Sequence, residues 1–182
     1  MHQKQLKLEN PARISELNPG NTLKLIGLKE GLNLCDIGAG TGIFTIPAAQ
    51  LTDSKVYALE ISDEMLAIIE EKAKTNGLNN IETMKVSDNS FGLMDNCIDI
   101  AIMVTVLHEI HPAEEFLSEI KRILKRDGII AVIEFHKRET PMGPTVDHRM
   151  SKEEVIDKLG KAGFKVRNDI NLGDNFYCLA FE

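Results

Sequence analysis

The stretch LCDIGAGTG, residues 34–42, decides how the rest of the chain is read. It closes the short apolar run Leu32–Ile37 with three glycines, Gly38, Gly40 and Gly42. Glycines after a strand let the backbone turn tightly and let a ligand lie against the main chain. The dinucleotide fingerprint G-x-G-x-x-G needs glycine at 43, where this chain has Ile43, and no Gly-Lys-Ser/Thr follows to make a phosphate loop. The loop therefore suits a ligand without a pyrophosphate. Asp36 stands just before it, placed to face a cationic group. Glu60, 22 residues beyond Gly38, ends the next strand candidate, where an acid can accept both hydroxyls of a ribose. Gly-x-Gly-x-Gly alone also fits a plain tight turn. The full order of strand, Asp-x-Gly-x-Gly-x-Gly, helix, strand and acid is much rarer and points to a ligand site.

Outward from the loop, apolar runs alternate with helix-period segments. Strands are expected at 32–37, 56–61, 81–86, 98–105, 129–135, 164–172 and 176–181. Helices are expected at 41–51, 62–75 with Ser62 as N-cap, 112–125, and 151–162 with Ser151 and Glu154 as a capping box. Asp127-Gly128 reads as the turn into the fifth strand. Residues 11–30, broken by Pro11, Pro19 and Gly20, should hold one or two helices. Alternating strands and helices imply an α/β fold with a parallel sheet covered on both faces. Gly173-Asp174-Asn175 is too short for a crossover, so the last two strands should form an antiparallel hairpin. A single domain is expected, with residues 1–30 as a helical cap segment and 31–182 as the core.

The chain has 182 residues and a net charge of −7. An acidic balance disfavours a broad nucleic-acid surface, and no apolar run approaches the roughly 18 residues of a membrane span. MHQKQLKLEN, residues 1–10, has no apolar leader segment. Three scattered cysteines, Cys35, Cys97 and Cys178, form no CxxC pair. The expected setting is a reducing cytoplasm, without membrane or nucleic-acid partners.

LCDIGAGTG (34–42), VYALEIS (56–62), SDNSF (87–91) and LKRDGIIAVIEF (124–135) together resemble the class I S-adenosylmethionine-dependent methyltransferases. Within them the chain looks most like the group containing the ubiquinone/menaquinone-biosynthesis enzymes. The resemblance implies a Rossmann-like seven-stranded sheet with an antiparallel last strand, and S-adenosylmethionine as cofactor. By resemblance, Asp36, Gly38, Ala39, Gly40 and Gly42 line the methionine part and Glu60 binds the ribose. Ile61 and Met65 pack on the adenine, Asp88 takes its amino group with Asn89 beside it, and Val104 and Thr105 face the sulfonium. Arsenite methyltransferases lie in the same broad group but depend on exposed cysteines. Here all three cysteines sit in or beside strand runs.

Ligands of open α/β sheets bind at the carboxyl ends of the strands. His108 and His111 follow the fourth strand, His136 ends the fifth, and His148 lies in the loop 137–150. A histidine there can deprotonate an acceptor near neutral pH, with His108 first in line and His148 second. Each can equally cap a helix or bond a carbonyl. Arg138 or Arg149 can hold an anionic group. Glu109 and Glu134 are further candidates, although strand-end glutamates more often pair with Lys or Arg. LHEIH (107–111) lacks the H-E-x-x-H spacing of a zinc helix, so no metal is expected. The long loop 137–150, with residues 1–20, should fold over the acceptor. A small-molecule acceptor and direct methyl displacement are the expectation. A protein acceptor or a non-catalytic binding module are the alternatives, and the oligomeric state is left open.

Overall fold

The computed structural model of the protein describes residues 2–87 and 90–182. Its strands are β1 (Leu34–Ile37), β2 (Val56–Glu60), β3 (Ile81–Lys85), β4 (Ile98–Val104), β5 (Leu124–Phe135), β6 (Val166–Asn171) and β7 (Phe176–Phe181). They form one sheet in the order β3-β2-β1-β4-β5-β7-β6. β7 runs antiparallel to both its neighbours, β5 and β6, while the pairs among β1 to β5 are parallel. The order reverses direction at β1 and β4, which leaves a crevice at their carboxyl ends.

Helices cover both faces. α1 (His2–Leu8), α2 (Pro11–Leu17), α3 (Pro19–Leu25), α4 (Thr45–Leu51) and α5 (Asp63–Thr75) precede the switch to β4, and α6 (Ala113–Ile123) and α7 (Lys152–Lys161) follow it. One core packs Phe116, Leu117 and Ile120 of α6 and Val155 and Leu159 of α7 against Ile37, Met103, Val132 and Leu179. The other packs Leu17 of α2, Leu23 of α3, Phe44 at the N-cap of α4 and Ala48 within it against Leu34, Ile100, Ala131 and Cys178. The alternation of neighbours such as Leu34 and Cys35 between the two cores is the period-two signature of a strand buried on both sides. No helix of the described residues is long and apolar enough to cross a membrane.

The expected elements are all present, with three informative differences. α4 begins at Thr45 rather than Thr41, because Gly38, Gly40 and Gly42 take φ of +72°, +55° and +78°, outside the helical region. Asp127-Gly128 is not a turn: β5 starts at Leu124 and runs through it, with an irregular register between Ile98 and Ile100. A Cβ on Gly128 would lie 2.9 Å from the Lys125 carbonyl oxygen, so the irregular strand needs glycine there. The N-terminal segment, expected to be helical over residues 1–30, holds α2 and α3 within 11–30 as expected, and α1 ahead of them. Ser151 and Glu154 do form a reciprocal capping box. Ser62 stands at the N-cap of α5 without a side-chain cap; its N–H instead donates to Glu60.

Candidate active site

The loop after β1 is tied down from below and from the side. Phe44, 1% exposed, plugs it into the core beneath, a burial worth about 1.5–3 kcal/mol. The N–H groups of Gly38 and Ala39 both donate to the Leu59 carbonyl of β2. Close approach fixes the glycines: a Cβ on Gly38 would stand 2.6 Å from Val106 Cγ2, and one on Gly42 2.9 Å from Ile69 Cγ1.

Glu60 completes the loop. Its Oε2 accepts from Gly40 N–H at 2.9 Å, and its Oε1 from Ile61 N–H at 2.9 Å and Ser62 N–H at 3.1 Å. A carboxylate offers about four acceptor positions, so these three leave capacity for a hydroxyl. Asp36 is 2% exposed and accepts from the Thr45 hydroxyl at 2.6 Å. Burial, reinforced by the negative charge of Glu60, outweighs that hydrogen bond and lifts its pKa from 3.8 to about 6. Of the side chains expected around an adenine, Ile61 is 68% exposed, whereas Met65, in the first turn of α5, is buried. Asp88 and Asn89 lie outside the described residues.

β4 ends at a cavity. It is small, about 20 Å³, and is lined by Asp36, Gly38, Ala39, Gly40 and Val104, together with Leu8 and Arg13. Thr105 follows at φ +56°, a conformation rarely adopted by a non-glycine residue, and its hydroxyl accepts from Arg13 at 3.3 Å. Three residues further on, His108 lines the larger cavity, about 730 Å³, between the start of α6, the loop 137–150 and α7.

His108 is seated on Glu134. Its Nδ1 lies 2.9 and 3.0 Å from the two carboxylate oxygens, and Glu134 is 1% exposed. That hydrogen bond raises the His108 pKa above 6.5 against the opposing effect of burial. With Nδ1 engaged, Nε2 is the ring nitrogen left for other chemistry. The partner expected for Glu134, a Lys or Arg, is replaced by a histidine. His148 lines the same cavity, is exposed, and bonds Thr145 Oγ1 at 2.9 Å through Nδ1. His111 also lines it, and His136 does not. Among the described residues no group of three or more His, Cys, Asp or Glu side chains is placed to hold a metal ion.

Two expectations change. Arg149 is not free to hold an anion: 5% exposed, it donates to the carbonyls of Pro144, His136, Arg138 and Met142 and to Thr140 Oγ1. It braces the loop 137–150 from inside, stacked 5.2 Å over Phe135. Arg138 is exposed and donates through Nη2 to the Asp174 carbonyl at 2.9 Å. The N-terminal residues, expected over the acceptor along with that loop, instead cover the glycine loop. Leu8 lies 3.2 Å from where a Gly40 Cβ would stand, and Lys72 Nζ ties Glu9 to the Thr41 carbonyl. The cysteines pack as expected for core residues. Burial pushes the Cys178 thiol up to about 12 and that of Cys35 well above its ordinary value.

Arg13 and Thr45 were missed. Arg13 lies four residues before Leu17, on the helix face that α2 buries, and an arginine at such a spacing is the available sequence signal. Thr45 carried none.

Comparison with known proteins fits this geometry. A family model described as a methyltransferase domain matches residues 35–132, more than half of the chain. Among curated proteins, the demethylmenaquinone methyltransferase of Tropheryma whipplei (strain Twist) is 30% identical over 138 residues, covering 76% of this chain and 55% of its own. The ubiquinone/menaquinone biosynthesis C-methyltransferase UbiE of Shewanella sp. (strain W3-18-1) is 26% identical over 144 residues, covering 78% and 57%. The chain thus spans about half the length of the curated relatives it matches. Among solved structures, a SAM dependent methyltransferase from Aquifex aeolicus superposes with a TM-score of 0.91 at 32% identity, over 96% of this chain and 94% of that one. The match to the family model, together with that nearly end-to-end likeness, means that the chain belongs to the methyltransferase domain family, among the S-adenosylmethionine-dependent methyltransferases.

Proposed function

We propose that this chain moves a methyl group from S-adenosylmethionine to a small-molecule acceptor in the cavity beside His108, by direct displacement. The residues present fit that cofactor. Asp36, buried with acceptor capacity to spare, suits an ammonium group, and Glu60 suits ribose hydroxyls. Gly38, Ala39 and Gly40 line a cavity together with Asp36, and exposed Ile61 offers an apolar surface to an adenine. When bound, S-adenosylmethionine supplies an electrophilic methyl on a positively charged sulfur. The protein's part is to orient, to exclude water and to hold a proton.

One observation carries the reading: Val104 at the end of β4 lines the glycine-loop cavity, and His108, four residues further along the chain, lines the larger one. His108 Nε2 is the proposed proton acceptor for the incoming nucleophile. Glu134 keeps the proton on Nδ1 and stabilises the charged ring. His148, which lines the same cavity, is a proposed acceptor contact. The quinone-biosynthesis names of the curated relatives support a small acceptor.

Fold alone does not carry methyl transfer. The [4+2]-cyclase SpnF shares this fold at 21% identity with a TM-score of 0.75. Turnover is therefore the test. The protein is incubated with methyl-labelled S-adenosylmethionine and either the metabolite ultrafiltrate or the retained macromolecules of a cell extract. Label in a small product of the ultrafiltrate is expected. Label confined to macromolecules, or binding of S-adenosylhomocysteine without transfer in either fraction, would overturn the proposal.

A further inference from the structure

The cavity that His108 lines holds about 730 Å³, within the roughly 300–1,000 Å³ usual for small-molecule sites. Such sites are mostly apolar, and this one is not. On α7, Val155 and Leu159 are buried in the core, while Glu154, Asp157, Lys158 and Lys161 recur at helical spacing and line the cavity. Glu114 of α6 and Lys137 and Asp147 of the loop 137–150 add further charge to the lining. Its apolar share comes from residues such as Ala113 and Leu117, which are buried in the core. The large apolar side chains exposed among the described residues, from Leu6 to Val166, all lie outside the lining. A hydrocarbon tail laid here would displace water from charged groups and offer them no hydrogen bond.

Most of these charges already pair. Lys137 Nζ lies 2.6 Å from Glu154 Oε1, and Lys161 Nζ 2.6 Å from Asp157 Oδ2. Glu134, behind the lining, is engaged by His108. Two cations of the lining have no carboxylate within ion-pair distance among the described residues, Arg149 and Lys158. Arg149 is buried and donates to carbonyls and one hydroxyl, so it brings charge without a carboxylate to match it. Lys158 is half-buried, and its ammonium has no hydrogen-bond partner among the described residues. Glu154, whose pKa is held low chiefly by its hydrogen bond with Lys137, feels Lys158 only through space. The anions of the lining without a cation in ion-pair distance, Glu114 and Asp147, are both exposed, where water and salt screen them. The less screened charge left unmatched is therefore positive. Resting on the reading that this cavity takes the methyl acceptor, we infer that the acceptor is a water-soluble acid without a hydrocarbon tail, and that Lys158 binds its anionic oxygens. A carboxylate or phosphate supplies the charged hydrogen bonds that the ammonium lacks, and the flexible lysine stem suits such a point contact. Lys158 is then a specificity-determining residue, while His108 acts on the nucleophile of the same molecule.

Fractionation tests the chemistry of the acceptor. The metabolite ultrafiltrate of a cell extract is separated by anion exchange into retained and unretained molecules, and a lipid extract dispersed in detergent is the third fraction. Each is incubated with the protein and methyl-labelled S-adenosylmethionine. The label should pass mainly to molecules of the retained fraction. Transfer mainly to the unretained fraction or to the lipid extract would overturn the inference and leave methyl transfer standing. No transfer to any of the three would overturn the inference together with the reading on which it rests. With the retained fraction as acceptor, Lys158→Met should raise the concentration needed for half the maximal rate by about ten- to a hundredfold, the range for a charged hydrogen bond. Its affinity for S-adenosylhomocysteine should stay within about twofold of wild type. Lys158→Arg, which keeps the charge, should restore most of the loss. An unchanged half-maximal concentration in Lys158→Met, or equal deficits in the two variants, would overturn the role given to Lys158. The fractionation uses the wild-type protein and decides the acceptor chemistry whether or not the variants fold.

Discussion

Asp36→Asn should make the cofactor-free protein more stable at neutral pH while weakening its hold on the cofactor. Asp36 is 2% exposed, and burial lifts its pKa from 3.8 to about 6. Below about 3.8 the group is protonated whether the chain is folded or not, and the shift has no effect on stability. Between 3.8 and about 6 the folded state holds the proton more tightly, so stability falls as pH rises through that window. Above it the full penalty is present. A rise from 3.8 to about 6 corresponds to about 3 kcal/mol, and incomplete relaxation around the amide makes about 1–3 kcal/mol a fair expectation. Asparagine keeps an oxygen to accept from the Thr45 hydroxyl, so the hydrogen bond at 2.6 Å survives. For a domain of this size the melting temperature should move by about 3 °C per kcal/mol. Urea unfolding of wild type and variant at about pH 8 and about pH 4 is the assay, with calorimetry of S-adenosylhomocysteine binding alongside. The variant should gain stability at the higher pH, gain little at the lower, and bind the ligand about ten- to a hundredfold more weakly. A variant less stable than wild type at pH 8, or a difference that ignores pH, would refute the reasoning.

Glu60→Ala removes the acceptor for three backbone N–H groups. Amide exchange at Gly40, Ile61 and Ser62 should accelerate, and S-adenosylhomocysteine affinity should fall by about a hundredfold or more. Gly38→Ala places a Cβ 2.6 Å from Val106 Cγ2 at φ +72°. Unfolding titrations should find it about 1–3 kcal/mol less stable, with part of the loss recovered in the Gly38→Ala/Val106→Ala double variant. Glu134→Gln takes the anion from His108. The raised His108 pKa contributes stability that is full below about pH 6.5 and lost as pH rises through the raised value. The wild-type advantage over the variant should therefore shrink with increasing pH, and the acidic limb of the methyl-transfer profile should move to lower pH in the variant. An unmoved limb would detach His108 from the proton transfer.

The sheet was legible because its strands carry their burial in plain view. IDIAIMV and IIAVIEF are near-continuous apolar runs, as strands covered on both faces require. Asp36 and Glu60 were legible because the loop between them fixes their spacing. What escaped was set by partners far along the chain. Arg149 carries the same charge as any loop arginine, and only the curl of residues 136–144 around it turns it into a brace. The pairing of Glu134 with His108 spans 26 residues and depends on β4 and β5 ending side by side. Arg13 reaches Thr105 across 92 residues. Its burial follows from how α2 docks, which a helical period alone does not specify. The misplacement of the N-terminal segment has the same origin. Lys72 and Glu9 meet only because α5 packs beside the glycine loop.

The strand order of the last hairpin bears on how the chain assembles. β7 follows β6 in sequence yet lies between β6 and β5, so β6 has no place in the sheet until β7 has docked. During synthesis β6 emerges first and must wait. Its residues VRNDIN, mostly exposed even in the finished fold, can wait in water without inviting a wrong partner. FYCLAF, wholly buried once paired, becomes available only when an edge of β5 stands ready for it. The polar strand comes before the greasy one, and the interval in which an unpaired hydrophobic strand is exposed is thereby kept short.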